Sequence, residues 1–417
     1  MKLKKYIPAV LSAVLLASAF AVCALYGNEA QPAVQTMSVQ TADSAEKSDT
    51  ADNMKGVWVT YLELSMERET DKSEKAFAKK FSAIADNCIN SGFNTLIVQV
   101  RPFCDALYKS KYYPYSHILT GTQGKNPGYD PLKTMCKICR EKGLAIHAWI
   151  NPYRVTYNNV PVKLSDDNPY TKDKSIGIKT ETTLILDPSC EKARKLIADG
   201  IAEIVKNYDV DRIQFDDYFY PVDIENLDSK QYGEYRSSAK GEIMGLDDWR
   251  KANVNLLITQ CWSAVHKNSK NKVFGISPQG NLENNAELFA DVKSWCGQRG
   301  YIDYICPQIY FSLENPALGF EDALNDWLKL DFAKGVKLYV GLAGYKAGTD
   351  DDEGTWEYYD DTLFKEYKIL KKNNNISGFM LYSYSSLLDE AAEKEIKNLK
   401  KLLILSSNKR IKTGISR

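Results

Sequence analysis

The sequence predicts an α/β fold, a single (β/α)8 TIM barrel, and three observations carry this prediction. Short runs rich in β-branched and aromatic residues recur eight times, and each is followed by a segment with helical periodicity. Alternating units of this kind favour a parallel sheet covered by helices, and eight of them close a barrel. The chain has 417 residues, of which 44% are hydrophobic and 26% charged, so it can bury a large core.

The elements follow one another in regular order. The predicted strands are 56–62, 94–101, 144–150, 210–217, 273–279, 301–310, 337–345 and 378–386. The predicted helices are 74–91, 131–142, 188–207, 247–268, 284–297, 320–333, 360–373 and 389–404. Asp130-Pro131 and Asp187-Pro188 are typical of an N-cap followed by a proline in the first turn. Gly92 and Gly143 stand where a helix should end before the next strand.

Three connections are longer than the others, and all follow strands. They span 151–187, 218–246 and 346–359, after the third, fourth and seventh strands. Connections from a strand to the next helix lie on the C-terminal face of a barrel, where such barrels carry their active sites. We therefore expect the functional site on that face.

The N-terminal residues predict export. Lys2, Lys4 and Lys5 precede an apolar run over 7–25, which fits a signal peptide cleaved after Ala24 or an uncleaved anchor. Residues 26–53 are rich in Ala, Gln, Thr, Ser and Asp, as in a flexible linker. The barrel domain is expected over 54–404, with a tail over 405–417. The protein would be secreted or associated with the cell envelope, with membrane contact only through an uncleaved N-terminus.

Composition excludes several functions. Lys plus Arg and Asp plus Glu each number 54, so no basic excess favours nucleic acid. Only three histidines are present, which opposes a multi-histidine metal site, and we expect neither a metal nor another cofactor. Eight cysteines follow Cys23 without zinc-site spacing, and most are expected to be buried free thiols. Nothing in the sequence predicts an oligomeric state.

Strand alternation predicts which side chains point into the barrel. Ile213 and Phe215 should face the helices, so Asp216 should point to the axis with Asp217 at the rim. The same rule turns His147 inward and collects at the mouth Arg101, Trp149, Asn151, Gln308 and Tyr310, together with Tyr382 or Ser383. His147 lies deeper in its strand, so a role in the barrel floor and a role in substrate binding both stay open.

Asp216-Asp217 is the sharpest feature at this mouth. In a structural interpretation Arg101 and Asp216 form an ion pair and Asp217 caps the following loop. In a functional interpretation the pair serves glycoside hydrolysis, which needs a general acid beside the glycosidic oxygen. Two adjacent carboxyl groups repel each other when charged, which raises one pKa as a general acid requires. One acid would donate the proton, while the other could orient an N-acetyl group of the substrate that acts as nucleophile.

Aromatic side chains gather at the same strand ends. They are Trp149, Tyr153, Tyr218, Tyr220, Tyr310, Phe311 and Tyr345. Apolar rings with polar tips suit pyranose sugars, so their shared location favours a glycan cleft.

Several motifs resemble those of bacterial family-10-like glycosyl hydrolases, the glycosyl hydrolase-like 10 group. The matching runs include GVWVTYLELS (56–65), GLAIHAWINPYRV (143–155), DVDRIQFDDYFYP (209–221) and IDYICPQIYF (302–311). The family's DDY motif matches Asp216, Asp217 and Tyr218, and its RP..DALY motif matches Arg101 and Asp105. Gln279-Gly280 replaces the aromatic-glycine pair expected after FGISP. The resemblance implies an exported barrel glycosidase acting on cell-wall glycan, in particular on peptidoglycan strands without stem peptides.

The sequence therefore predicts an exported glycoside hydrolase whose partner is a polysaccharide substrate. Asp216 and Asp217 are the catalytic candidates. The substrate-binding candidates are Arg101, Asp105, His147, Trp149, Asn151, Tyr153, Tyr218, Tyr220, Gln308, Tyr310 and Tyr345. The alternative is a non-catalytic carbohydrate-binding barrel of the cell envelope.

Overall fold

Eight parallel strands close a barrel, as the sequence predicts. The computed structural model describes residues 53–221, 224 and 226–413, so the predicted signal or anchor and nearly all of the linker lie outside it. Around the barrel the strands are β1 (Met54–Val59), β2 (Thr95–Arg101), β3 (Ala145–Ile150), β7 (Arg212–Phe215), β8 (Val273–Ile276), β9 (Tyr304–Ile305), β10 (Lys337–Ala343) and β11 (Ile376–Tyr382). Strand β11 pairs with β1 and completes the closure.

A small antiparallel sheet is inserted in the long connection after β3. Its strands are β4 (Arg154–Thr156), β5 (Gly177–Lys179) and β6 (Leu184–Leu186), with β6 in the centre. Pairing of β4 with β6 fixes the chain just beyond Asn151. This sheet holds the start of the loop at the barrel mouth.

Helices cover the outside of the barrel between successive strands. They are α1 (Tyr61–Leu64), α2 (Glu74–Asn90), α3 (Pro131–Glu141), α4 (Pro169–Lys172), α5 (Glu191–Asn207), α6 (Ser229–Ser238), α7 (Leu246–Asn268), α8 (Asn284–Glu287), α9 (Val292–Gly297), α10 (Phe320–Leu328), α11 (Thr355–Tyr358), α12 (Thr362–Lys372) and α13 (Glu393–Thr413). The last helix runs beyond residue 404, into the segment predicted as a tail.

One of the two predicted N-caps is confirmed and the other is wrong. Asp130 accepts a hydrogen bond from the backbone N–H of Lys133, and Pro131 occupies the first turn of α3. Helix α5, however, begins at Glu191 with Cys190 as its N-cap residue. Asp187 instead accepts bonds from the backbone N–H and hydroxyl of Ser189, which closes a local turn before the helix.

Two apolar layers hold the barrel together. The larger lies between the strands and the helices. The smaller fills the barrel interior and consists of Met54, Trp58, Ile97, Trp149, Tyr304, Cys306, Tyr339 and Met380. Gly275 makes room for this filling, since a Cβ there would lie 2.3 Å from the ring of Tyr304. The interior is thus a packed core rather than a pore.

The cysteines agree with the expectation of free thiols. Seven of the eight in the described residues are buried and Cys190 is half-buried, and all eight are free. Among the described helices, none has the length and apolar character needed to cross a membrane.

Candidate active site

Asp216 is the first residue after β7 and lies in the barrel mouth with 5% of its surface exposed. The indole Nε1 of Trp149 donates a hydrogen bond to Asp216 Oδ2 over 3.3 Å, and Asn151 Nδ2 donates to the same oxygen. The backbone N–H of Tyr218 donates to the other oxygen at 3.4 Å. Residues at the end of β3 therefore orient the first acid of the pair.

A chain of amides fixes which end of Asn151 faces the acid. The backbone N–H of Tyr61 donates to Gln99 Oε1 at 3.0 Å, so Gln99 Nε2 must point the other way. Gln99 Nε2 then donates to Asn151 Oδ1 at 2.6 Å, which leaves the Asn151 amide N–H for Asp216. The backbone N–H of Tyr61 thus sets the direction of every hydrogen bond in this series, and the series ends at the carboxyl group of Asp216.

Asp217 is held from the opposite side of the mouth and is 6% exposed. Gln279 Nε2 donates to its Oδ2, and Gln308 Nε2 donates to its Oδ1 at 3.2 Å. Gly280 allows the segments that follow β8 and β9 to approach closely here, because a Cβ at this position would lie 2.1 Å from the carbonyl oxygen of Gln308. Gln279, which replaces the expected aromatic residue, is thus a ligand of the second acid.

The environment raises the pKa of both acids. Burial raises the pKa of Asp216 to about 7, and the negative charge of Asp217 acts in the same direction. Burial also raises the pKa of Asp217, although its hydrogen bonds from Gln308 and Gln279 act against this. A carboxyl group that keeps its proton near neutral pH can serve as a general acid.

The cation near the acid pair is Arg154, not Arg101. Arg154 is half-buried on β4, and its positive charge lowers the pKa of Asp216 against the effect of burial. Its guanidinium carbon lies 4.6 Å from the ring centre of Tyr218 and 5.4 Å from that of Tyr157. The insertion after β3 thus supplies the positive charge at the mouth.

The predicted inward orientation of Arg101 is wrong. The register between β2 and β3 shifts between Gln99 and Arg101, and this irregularity places Arg101 opposite Ile150 on the helix side. Arg101 donates to the backbone carbonyls of Asn151 at 3.0 Å and Pro152 at 2.9 Å, and lies over the ring of Tyr113. The proposed Arg101–Asp216 ion pair is therefore wrong, and Arg101 supports the backbone of the site from behind.

Four other substrate-binding candidates are buried, and among the described residues none of them makes a hydrogen bond or ring contact with either acid. Asp105 accepts a hydrogen bond from Gln123 Nε2 at 3.0 Å and has no exposed surface. His147 packs in the barrel beside Tyr304, and burial lowers its pKa well below the ordinary value, so it is neutral. Tyr153 and Tyr220 belong to the outer core. Strand periodicity predicts that these side chains lie near a strand end, but it does not predict whether they are exposed.

The remaining candidates do meet around the acids. Trp149 and Asn151 contact Asp216, and Gln308 contacts Asp217. Tyr310 and Tyr345 form an aromatic group with Tyr382, in which the three ring centres lie 5.8–5.9 Å apart. Tyr382 also packs edge-on against Trp149. An aromatic path therefore leads from the rim to the first acid.

A cavity of about 390 Å³ opens beside this aromatic group. Its lining residues are Thr60, Leu62, Glu63, Tyr345, Tyr382, Ser383 and Ser385. Glu63 fixes the wall, since its carboxylate accepts hydrogen bonds from the backbone of Thr60 at 2.6 Å and of Ser385 at 3.3 Å. Tyr218, 49% exposed, lies across the barrel at the end of β7. Exposed tyrosine rings thus stand on two sides of the acid pair.

Replacement of Tyr345 by alanine is expected to raise KM for a glycan about three- to tenfold and to leave kcat nearly unchanged. The ring is 42% exposed and contacts Tyr310 and Tyr382 without touching either acid. Steady-state kinetics on a soluble glycan fragment measure the effect. Tyr358→Ala is the matched control, because this tyrosine is 87% exposed away from the cavity. An equal rise of KM in both variants would argue against a sugar platform at Tyr345.

Sequence reasoning missed the roles of several residues at the site. Arg154 follows a strand end, where alternation no longer predicts orientation, and Gln99 is not among the site residues that the sequence predicts. Glu63 lies in α1, a helix too short for a periodic signal. Among the described residues, no group of three or more His, Cys, Asp or Glu side chains could hold a metal ion.

Comparisons with known proteins place the chain among glycosyl hydrolase-like proteins. The sequence profile described as glycosyl hydrolase-like 10 matches residues 53–357. Glycosyl hydrolase YngK of Bacillus subtilis is 36% identical over 318 residues, which cover 72% of this chain and 62% of YngK, so the chain spans less than two thirds of that relative. Glycosyl hydrolase DigH of Escherichia coli K12 is 29% identical over 370 residues, which cover 81% of this chain and 83% of DigH.

The fold is also found in a solved glycosidase structure. The α-amylase of Geobacillus thermoleovorans, crystallised with acarbose, superposes with a TM-score of 0.50 at 12% identity, over 85% of this chain and 78% of the amylase. At that identity the likeness concerns the barrel alone. The family profile, by contrast, covers the strands that carry Asp216, Asp217 and their ligands. The chain therefore belongs to the glycosyl hydrolase-like 10 family.

Proposed function

We propose that this protein is an exported glycoside hydrolase that cleaves cell-wall glycan, namely the N-acetylated amino-sugar strands of peptidoglycan. One observation carries the proposal: two adjacent carboxyl groups, both with raised pKa, lie at the barrel mouth between fixed amide and indole donors. Membership of a glycosyl hydrolase-like family and the relatives named glycosyl hydrolases support the class of reaction.

The acid pair provides the proton that the leaving sugar needs. As the bond between the anomeric carbon and the glycosidic oxygen breaks, one carboxyl group transfers its proton to that oxygen. The other, as carboxylate, holds the N–H of the substrate's acetamido group, whose carbonyl oxygen attacks the anomeric carbon. Water then opens the cyclic intermediate and returns a proton to the pair. This route uses a nucleophile from the substrate and needs no second carboxylate on another strand.

The choice of substrate is supported by three features. Exposed tyrosines on both sides of the acids suit a polymeric glycan. The apolar N-terminal segment is predicted to direct the barrel out of the cytoplasm, towards the cell wall. The resemblance of the motifs to family-10-like hydrolases favours peptide-free strands. The alternative, a barrel that binds glycan without cleaving it, retains the cleft but predicts no products.

Purified peptidoglycan strands without stem peptides are expected to be cleaved faster than strands with peptides, and far faster than xylan or neutral glucan. Products would be separated by chromatography and identified by mass. The reaction is run with a chelator, because we expect no metal requirement. Loss of activity in chelator, restored by one divalent ion, would contradict the mechanism. Faster cleavage of xylan or glucan would contradict the substrate, and tight binding without products would favour the alternative.

A further inference from the structure

Arg154 is a cation at the barrel mouth that the proposed hydrolysis does not use. It belongs to β4, in the insertion after β3, and its side chain is half-buried. Its charge lowers the pKa of Asp216 and Asp217 and also acts on Tyr61 and Tyr382. The two acids follow β7, whereas Tyr61 and Tyr382 lie at the ends of the paired strands β1 and β11, on the other side of the barrel. Arg154 therefore faces the space that a substrate would enter.

The N–H groups of Arg154 are not used by the described part of the protein. Its guanidinium is held by two tyrosine rings, 4.6 Å from Tyr218 and 5.4 Å from Tyr157. No described oxygen accepts a hydrogen bond from it, and none of its nitrogens is a buried orphan, so they reach solvent. Stacking uses the flat face of the guanidinium and leaves its N–H edges free.

Two other arginines show that a guanidinium with a structural role finds oxygen acceptors in this protein. Arg101 donates to the carbonyls of Asn151 and Pro152. Arg250 forms two hydrogen bonds with the carboxylate of Asp228, at 2.6 and 2.8 Å. Arg154 has the rigid aromatic support without the acceptor. A fixed guanidinium with free N–H edges is suited to a carboxylate, which it binds through two parallel hydrogen bonds.

We infer that Arg154 binds a carboxylate on the glycan, and so selects strands that carry a free acid group. This inference rests on the proposed function, in which the acid is the lactyl carboxylate of N-acetylmuramic acid. A stem peptide converts this carboxylate into an amide, which removes the charge and one acceptor oxygen. Recognition by Arg154 would therefore give a physical reason for a preference for peptide-free strands.

The test compares one glycan in two chemical forms. Peptide-free strands are used as isolated, and after reduction of their lactyl carboxylates to primary alcohols. The wild-type protein is expected to cleave the acidic strand with a kcat/KM about 10- to 100-fold higher than the reduced strand, as loss of charge-assisted hydrogen bonds commonly produces. In Arg154→Gln this ratio should fall to about one, while Arg154→Lys should keep part of it.

The ratio separates recognition from any effect on the acids. Loss of Arg154 also changes the electrostatics of Asp216, but that change affects both strands equally and cancels in the ratio. Arg236→Gln is the matched control, since Arg236 is exposed and also lies over a tyrosine ring, that of Tyr232. This control should keep the wild-type ratio. An equal loss on both strands in Arg154→Gln would overturn the inference.

Binding keeps the inference testable if no turnover is seen. Titration calorimetry of both strands gives the same ratio from Kd, so absent cleavage would overturn the proposed function alone. A polyuronate is the last ligand whose binding is measured, because its carboxylates lie on the sugar ring and not on a lactyl group. Binding of polyuronate that is tighter than binding of the lactyl strand and that depends on Arg154 would support carboxylate recognition and overturn the amino-sugar assignment. A wild-type Kd ratio near one would overturn the inference.

Discussion

Replacement of Asp216 or Asp217 by asparagine is expected to lower turnover by about 10²- to 10⁴-fold, the usual cost of losing a general acid. Asparagine has nearly the shape of aspartate, so packing at the two buried positions is kept. The change removes the exchangeable proton from a group whose neighbours already donate to it, namely Trp149 and Asn151 for Asp216. Rates on peptide-free strands, corrected for the folded fraction, measure the loss.

A carboxylate at the other end of the same strand, just before its first residue, serves as control. Asp211 precedes β7 at the opposite end of the barrel, where it accepts bonds from Arg140 and from the backbone of Ile146. Asp211→Asn should lower stability and keep the turnover of the folded fraction. Near-full activity in both acid variants would remove the pair from the mechanism, since a structural pair affects stability alone.

The leaving group distinguishes the roles of the two acids. In an aryl glycoside of a very acidic phenol, the phenolate leaves without being protonated. The variant that has lost the proton donor should therefore recover turnover on this substrate. The variant that has lost the group orienting the acetamide should stay slow on it. Recovery in neither variant would contradict proton donation by the pair.

The acid pair also predicts the pH dependence of the reaction. Burial raises the pKa of Asp216 to about 7, and the proton donor is active only when protonated. Turnover of the wild-type protein should therefore fall as pH rises through about 7. The two acids titrate together, so this fall of turnover with pH reports a property of the pair and not of one acid.

Replacement of Glu366 by glutamine is expected to stabilise the protein increasingly above pH 5. Glu366 on α12 has no exposed surface, and neither of its carboxyl oxygens has a hydrogen-bond partner. Burial raises its pKa well above the ordinary value, and the negative charges of Glu395, Asp352 and Glu314 act in the same direction. The folded protein thus keeps a proton that the unfolded chain releases.

The direction in which stability changes with pH follows from proton linkage. A raised pKa in the folded state means that stability falls as pH rises from the unfolded pKa, about 4.3, towards the folded one. Each pH unit in this window costs the wild-type protein about 1.4 kcal/mol of unfolding free energy at this group, and the glutamine variant does not have this cost. Glu395 adds to the wild-type trend, because burial raises its pKa to about 7.

Urea unfolding at pH 5, 6, 7 and 8 measures the difference. The gap between Glu366→Gln and the wild-type protein should widen with pH. Glu393→Gln is the control, since Glu393 is exposed on the same helix as Glu395. Parallel stability curves for the wild-type protein and Glu366→Gln would show that Glu366 is already ionised in the folded state.

Most of the correctly predicted features of the fold follow from rules that involve only residues close together in the sequence. The βα alternation gave the barrel, and Asp130-Pro131 gave the start of α3, because a cap needs only neighbouring residues. The N-cap rule did not hold at Asp187, whose carboxylate accepts hydrogen bonds from Ser189 and not from the first turn of a helix. Alternation also placed Trp149, Asn151 and Gln308 at the mouth beside Asp216 and Asp217, since side chains of a regular strand alternate without help from the rest of the fold.

The sequence by itself determined the barrel, the face that carries the candidate site and the position of the acid pair, because these depend on periodicity and on motifs of adjacent residues. Only the tertiary structure decided which partners meet the acids. A register shift in β2 turned Arg101 outward, and a small sheet in the insertion brought Arg154 to the mouth in its place. Register and loop docking depend on contacts between residues far apart in the chain, and such contacts leave no periodic trace in the sequence.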